Sequence, residues 1–277
     1  MLPDTKSKHF MKVKPTLIKL HWLLSSQFGL NPQIFWRSLR GIPAFLRDLK
    51  TFKKGHQGKI LILPCLHDRY EEGGETKSEY FWQDLLVAQA IHEAKPVKHV
   101  DIGSRIDGFV AHVASFRECE VFDVRPISTK VPGVVFHQAD LMNPVTLPTT
   151  GGEGYCDSLS CLHAIEHFGL GRYGDPINPV GYKQGIANMA KLLQSGGIFY
   201  LSTPIGDERV EFNSNWIFHP STIVQVAENE GLKLQKLIII TPTNEQKLYQ
   251  AETKKMADLT LQKYQLGLFI FTKTHFS

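Results

Sequence analysis

The sequence predicts an α/β domain built on a mostly parallel sheet of about seven strands, preceded by a basic helical extension. Three observations predict it. Seven short apolar runs fall between residues 97 and 272, with helix-period stretches separating most of them. Strands that alternate with helices of this length need right-handed crossovers and a sheet covered on both faces. Acidic residues stand where the first three strands end, at Asp101, Asp123 and Asp140. The charge is also divided: residues 1–55 hold 11 Lys or Arg against Asp4 and Asp48, while the remainder holds 20 basic and 25 acidic residues.

The extension, residues 1–58, carries Ile34, Phe35, Leu39, Ile42, Phe45, Leu46, Leu49 and Phe52 at helical spacing. Arg37, Arg40, Arg47, Lys50 and Lys54 occupy mainly the other positions. This pattern over 34–54 describes an amphipathic helix, either packed with a solvated basic face or lying on an anionic membrane. Pro43, after Gly41, should bend or restart it. Nucleic acid is not favoured as a partner, because basic and aromatic residues do not interleave beyond the extension.

The α/β domain is expected over 59–277. It opens with an apolar run at 60–63 closed by Pro64, a polar loop at 68–78 and a helix at 80–94. Strands are expected at 97–102, 120–124, 134–138, 158–162, 197–202, 234–241 and 266–272. Helices are expected at 108–116, 183–193 and 221–229. The stretch 143–154, rich in Pro, Thr and Gly, reads as a surface loop.

Composition excludes several classes. With 42% hydrophobic and 21% charged residues the chain is an ordinary globular one. Its four cysteines, at 65, 119, 156 and 161, form no C-x-x-C pair, which points to reduced thiols and away from a zinc ribbon. No run of 18 apolar residues suggests a membrane span. Residues 1–24 are basic but lack the apolar core and cleavage pattern of a signal peptide. A cytoplasmic protein, at most peripheral to a membrane, is the expectation.

In open α/β sheets a ligand sits beyond the carboxyl ends of the strands. After the first strand, Gly103 lets the backbone approach a ligand, and the helix start beyond it offers N–H groups. A full G-x-G-x-x-G is absent, since Arg105 stands where the second Gly would be. Asp123, 20 residues past Gly103, can accept from both hydroxyls of a ribose, a need shared by NAD and S-adenosylmethionine. Asp140 can accept from an adenine amino group.

The stretch from Asp157-Ser158-Leu159-Ser160-Cys161-Leu162 to His163-Ala164-Ile165-Glu166-His167 resembles the fourth-strand motif of class I S-adenosylmethionine-dependent methyltransferases. Leu192-Leu193-Gln194-Ser195-Gly196-Gly197 and the strand after it resemble that family's helix, Gly-Gly turn and fifth strand. This resemblance spans roughly 95–275. Asp101–Val110, His163–Pro176, Pro64–Arg69 and Tyr80–Leu85 resemble more closely a methyltransferase-like family of unknown function, first noticed in nematodes and frequent in bacterial surface-glycan gene sets. The resemblance implies a Rossmann-like methyltransferase sheet with an antiparallel C-terminal hairpin. It implies S-adenosylmethionine as cofactor, bound around Asp101, Gly103, Ser104, Arg105, Asp123, Asp140 and Cys161. Arg105 would pair with the methionine carboxylate, or would block the cofactor.

Methyl transfer to oxygen or nitrogen often needs a base for the acceptor's proton. His163, Glu166 and His167 follow the fourth strand and are the catalytic candidates; helix capping and packing is the alternative for Glu166 and His167. The same residues spell H-x-x-E-H, a zinc-protease pattern that belongs on a helix rather than at a strand end. A divalent metal assisting methyl transfer is a further alternative, with Asn215 or His219 completing the ligands. Arg172, Tyr173 and Asp175, together with Arg69, should border the acceptor, and the two arginines suit an anionic one. The expected function is methyl transfer to a hydroxyl or amine of a surface-glycan precursor. A non-catalytic module of the same fold is the main alternative. An NAD-dependent sugar-modifying enzyme is disfavoured by the incomplete glycine pattern and by the lack of a Tyr-x-x-x-Lys pair.

Overall fold

The computed structural model describes residues 23–74, 76–145, 154–241, the backbone of 246–250, and 264–274. Residues 1–22 of the basic extension and 146–153 of the expected loop lie outside the described residues. The chain forms two compact units, Met1–Gly74 and Glu75–Ser277. Residues 59–74, expected with the α/β domain, therefore group with the helical extension.

The first unit is organised by α1, Pro32–Gly55. Asn31 caps it, its side chain accepting from the N–H groups of Gln33 and Ile34. The helix does not restart at Pro43. Proline's fixed φ is helical, so the ring leaves one carbonyl of the preceding turn without its bond while the helix runs on. The 65–69 segment packs on this helix, and a Cβ on Gly41 would meet the Leu66 carbonyl oxygen at 2.0 Å. Arg69, expected beside the acceptor, instead pairs with Asp48 of α1. The apolar run at 60–63 forms no regular element, and Leu61 and Leu63 are exposed.

The second unit opens with α2, Glu79–Ala94, capped by Ser78, whose hydroxyl accepts from the Tyr80 N–H. Five strands follow: β1 His99–Ile102, β2 Cys119–Asp123, β3 Val134–Gln138, β4 Cys156–Leu162 and β5 Leu193–Ile205. A short ribbon comes next, β6 Arg209–Glu211 and β7 Asn215–Ile217, and then β8 Leu232–Ile240, β9 Gln246–Gln250 and β10 Gln265–Lys273. Between them lie α3, Ala111–Ala114, reached through a wide helical turn at Ile106–Val110, α4 Gly181–Leu192 and α5 Pro220–Asn229.

The main sheet has the order β3-β2-β1-β4-β5-β10-β8-β9. Its first five strands are parallel, and β10, β8 and β9 join antiparallel. This is the Rossmann-like sheet with an antiparallel end that the sequence predicts, extended by one strand, β9. One face packs Ile102, Leu159, Cys161, Phe199 and Leu201 against Ile186, Met189, Ile223 and Val224 of α4 and α5. The other packs Val121, Leu162, Tyr200 and Leu268 against Val87, Ile91, Phe109 and Val113 from α2 to α3. Alternating inward residues on each strand supply both faces, so the sheet is buried twice over. β1 starts at His99, later than expected, because the Asp157 carboxylate takes the N–H groups of Val97 and Lys98.

Candidate functional site

The carboxyl ends of β1 to β4 open into a cavity of about 470 Å³. Gly103, Ser104 and Arg105 line it from β1, Asp123 and Arg125 from β2, Asp140 from β3, and His163 and His167 from β4. Tyr80 from the start of α2 and Arg172, Tyr173 and Asp175 from the following loop complete the wall. This is the place where an α/β sheet holds a ligand.

The first loop is built by Asp101. Its fully buried carboxylate accepts from the Ser104 N–H at 3.0 Å and contacts the Ser104 and Ser160 hydroxyls at 2.6 and 2.5 Å. Burial pushes its carboxyl up to about 7. Asp101 thus faces inward and shapes the loop without lining the cavity. Gly103 turns the backbone at φ +71°, and a Cβ there would lie 2.9 Å from that of Ala164. Arg105, expected at the cofactor's carboxylate, is turned aside onto Asp107, with bonds of 3.0 and 2.6 Å.

At the end of β2, Asp123 is met by Arg125. The guanidinium donates to both carboxylate oxygens, at 2.5–3.2 Å, and to the Gly103 carbonyl at 3.3 Å. The Arg125 N–H donates to the same carboxylate at 2.8 Å. Arg125 also lies 4.6 Å over the Tyr173 ring, whose other cationic neighbour is Arg172 at 5.3 Å. Asp140 accepts from the Met142 N–H at 2.9 Å and from Asn143 at 3.1 Å, which holds the turn after β3.

The fourth strand ends in two histidines with different partners. His163 has a left-handed backbone, φ +51°, and stacks on Tyr80 with ring centroids 4.2 Å apart. Its Nδ1 lies 2.7 Å from Glu166 Oε1, and its buried Nε2 has no hydrogen-bond partner. Burial drives Glu166 upward, but the His163 and His167 imidazoles and the His163 hydrogen bond outweigh it, leaving the carboxyl below its ordinary value. An ionised Glu166 accepts the Nδ1 proton, so the lone pair of His163 is at Nε2. His167 donates from Nδ1 to the Ser214 carbonyl at 2.8 Å, since a carbonyl can only accept. Burial, with Arg172 adding to it, holds His167 below the usual histidine value. The pair Glu166-His167 sits on a single 3-10 turn, Ile165–His167.

Other expected residues fall elsewhere. Cys161 is wholly buried, its thiol pushed well up by burial, and belongs to the core rather than to the cavity wall. Asp175 accepts from the N–H groups of Gly169, Gly171 and Tyr173, which anchors the loop that carries Arg172 and Tyr173. Arg172 donates to the Ser214 carbonyl at 2.9 Å and has no carboxylate partner among the described residues. His219 caps α5, its Nδ1 occupied by the Ser221 hydroxyl and N–H, and Asn215 bonds within its own ribbon. Neither turns toward the β4 histidines as a metal ligand set. Among the described residues, three metal-ligating side chains converge instead at His67, Asp68 and Glu71 of the first unit, which are partly to fully exposed. The sequence reading missed Arg125 and Tyr80. Arg125 sits two residues past a flagged acid, and Tyr80 at a helix start that Ser78 marks.

Among solved structures, the N-methyltransferase NodS from Bradyrhizobium japonicum WM9 in complex with S-adenosyl-L-homocysteine is 12% identical, with 70% of this chain and 86% of that one covered at a TM-score of 0.46. The 1,6-didemethyltoxoflavin-N1-methyltransferase of Burkholderia thailandensis is 13% identical over 72% and 80%, with a TM-score of 0.47. The [4+2]-cyclase SpnF is 11% identical over 69% and 81%, with a TM-score of 0.48. No curated protein matches the sequence significantly. A sequence family described as Caenorhabditis protein of unknown function, DUF268, matches residues 153–228. That stretch runs from β4 into α5, so the side of the cavity holding His163, Glu166, His167 and the Arg172–Asp175 loop is where this chain is similar to that family.

Proposed function

We propose that the chain is an S-adenosylmethionine-dependent methyltransferase acting on a hydroxyl or amine of an anionic acceptor, within surface-glycan biosynthesis. The observation that carries this reading is His163: a residue lining a strand-end cavity, whose buried Nε2 has no hydrogen-bond partner and whose other nitrogen is fixed by Glu166. The residues fit the cofactor. Gly103 permits close backbone approach, Asp140 offers a carboxylate to adenine and Asp123 one to ribose once the Arg125 guanidinium moves off it, and the volume lies within the ~300–1,000 Å³ of small-molecule sites. The bound cofactor supplies an electrophilic methyl group on a sulfonium sulfur.

The chain's own residues do the rest. His163 Nε2 takes the acceptor's proton, and Glu166 stabilises the imidazolium that results. His167, held below the usual histidine value by burial, lies with its Nε2 3.5 Å from the Arg172 guanidinium. Arg172, a cation without a carboxylate partner, holds the acceptor's negative group. The sugar character of the acceptor rests on the family resemblance given above. Titration calorimetry with S-adenosylmethionine, S-adenosylhomocysteine and NAD tests the reading. The two sulfur ligands should bind and NAD should not; a folded protein that binds neither sulfur ligand would overturn it.

A second reading, a non-catalytic binding module of the same fold, draws on the Asp123–Arg125 pair, which fills the ribose-binding carboxylate with a cation. It predicts no sulfur-ligand binding even after Arg125→Gln.

A further inference from the structure

Helix α1 carries an apolar stripe that is exposed among the described residues. Gly41, Phe45 and Leu49 turn toward Leu66 and its neighbours. On the adjoining face, Phe35, Leu39, Ile42 and Leu46 recur at the i, i+4, i+7, i+11 spacing that lines side chains up along a helix. They are 61%, 41%, 39% and 57% exposed, and Trp36, on the same bearing as Lys54, is 65% exposed. At 100° per residue, Lys50, Lys54, Arg47 and Arg40 occupy the next sector, so a row of cations runs beside the apolar stripe. The helix holds six Lys or Arg and one acid, Asp48, which is already taken by Arg47 and Arg69.

We propose that α1 lies on an anionic lipid bilayer, with the Phe35–Leu39–Ile42–Leu46 stripe in the headgroup–acyl boundary and the cations against lipid phosphates. Charge decides among occupants. A second copy of the helix would set its own row of cations against this one, and an apolar protein groove would leave the row unmatched. An anionic interface accepts both the stripe and the cations beside it. This inference stands apart from the methyl-transfer reading and uses none of its residues.

Cosedimentation of the full chain with phosphatidylcholine vesicles, with and without phosphatidylserine, tests it. The wild type should pellet only with phosphatidylserine vesicles, and added salt should release it. Lys50→Gln with Lys54→Gln should lower partitioning roughly 30-fold, at ~1 kcal/mol for each cation near the surface. Leu39→Ser with Leu46→Ser should abolish binding while helical circular dichroism is kept; the lysine variant carries the test if the serine variant does not fold. Wild-type protein that stays in solution, that binds pure phosphatidylcholine equally, or that ignores the lysine changes would overturn the proposal. So would a dimer, seen by light scattering, that the serine variant splits while phosphatidylserine has no effect.

Discussion

The Asp123 carboxylate and the Arg125 guanidinium form a fork two residues long, with both carboxylate oxygens occupied and Arg125 reaching on to the Gly103 carbonyl. A ribose that uses Asp123 must displace this guanidinium. The two residues therefore make opposite forecasts. Asp123→Ala should weaken S-adenosylhomocysteine binding by ~1.5–3 kcal/mol, the scale of a hydrogen bond to a charged group. Arg125→Gln should tighten it, because the guanidinium no longer competes with the ribose for the carboxylate. Calorimetry on both variants decides, and equal losses in the two would show that Arg125 helps to bind the ligand instead of competing with it.

His163→Gln should lower turnover by roughly 10²–10⁴-fold while leaving S-adenosylhomocysteine affinity nearly intact, if Nε2 takes the acceptor proton. His167→Gln should have the smaller effect. Since His167 is held below the usual histidine value, its contribution to the rate should rise with pH as the ring loses its proton, with a midpoint below that of an ordinary histidine. A melting curve of each variant separates chemistry from lost packing: slow turnover at an unchanged Tm supports a catalytic role.

Asp175 was expected to touch the acceptor, and the structure gives it a different task. Three backbone N–H groups converge on its carboxylate. Asp175→Ala should leave those donors without their acceptor and loosen the Arg172–Tyr173 loop. The expected outcome is a raised KM for the acceptor, an unchanged Kd for S-adenosylhomocysteine, and faster amide hydrogen exchange at Gly169, Gly171 and Tyr173. Unaltered exchange would remove the anchoring role.

Ser160 joins two buried groups whose titrations pull stability in opposite directions. Its hydroxyl contacts Asp101 at 2.5 Å and His99 at 3.2 Å. Burial pushes Asp101 up to about 7, so the folded chain keeps that proton where the unfolded chain has lost it, and this contribution falls as pH rises from about 4 to about 7. Burial pushes His99 down to about 3, so the unfolded chain binds the extra proton, and stability from this group grows between about 3 and about 6.5. In the wild type the two slopes largely oppose each other. Asp101→Asn removes the falling one, so its denaturant midpoint should climb from pH 4.5 to 6.5 more steeply than the wild type's. Parallel pH profiles would show that Asp101 does not titrate in this range.

The strand ends were the legible part of this molecule. Gly103, Asp123, Asp140 and His163 could be placed around one cavity because short apolar runs fix where each strand stops, and parallel topology puts those stops on one edge. What each polar atom does there was not legible. Arg105 and Arg125 are both arginines just past a strand, and only the folded loops send one to Asp107 and the other across the cavity. Tyr80 reaches His163 through the packing of α2 on the sheet, which no local pattern encodes. The β6–β7 ribbon is too short for periodicity to register. β9, with the polar sequence Gln246-Lys247-Leu248-Tyr249-Gln250, owes its extended form to pairing with β8 rather than to its own composition. Pro43, a strong local breaker, does not interrupt a 24-residue helix that continues on both sides of it.

The left-handed backbone at His163 sets two kinds of selection against each other. For the polypeptide, this corner after β4 is best filled by glycine or asparagine, and a histidine there carries of order 1–3 kcal/mol of strain. For the chemistry, only an imidazole at that Cα puts a proton acceptor on the cavity wall with Glu166 behind it. Descendants of this fold under pressure for stability alone should drift to the relaxed residue, and those under pressure for turnover should keep the strained one. The identity of this single position would then sort the lineage into members that react and members that merely bind.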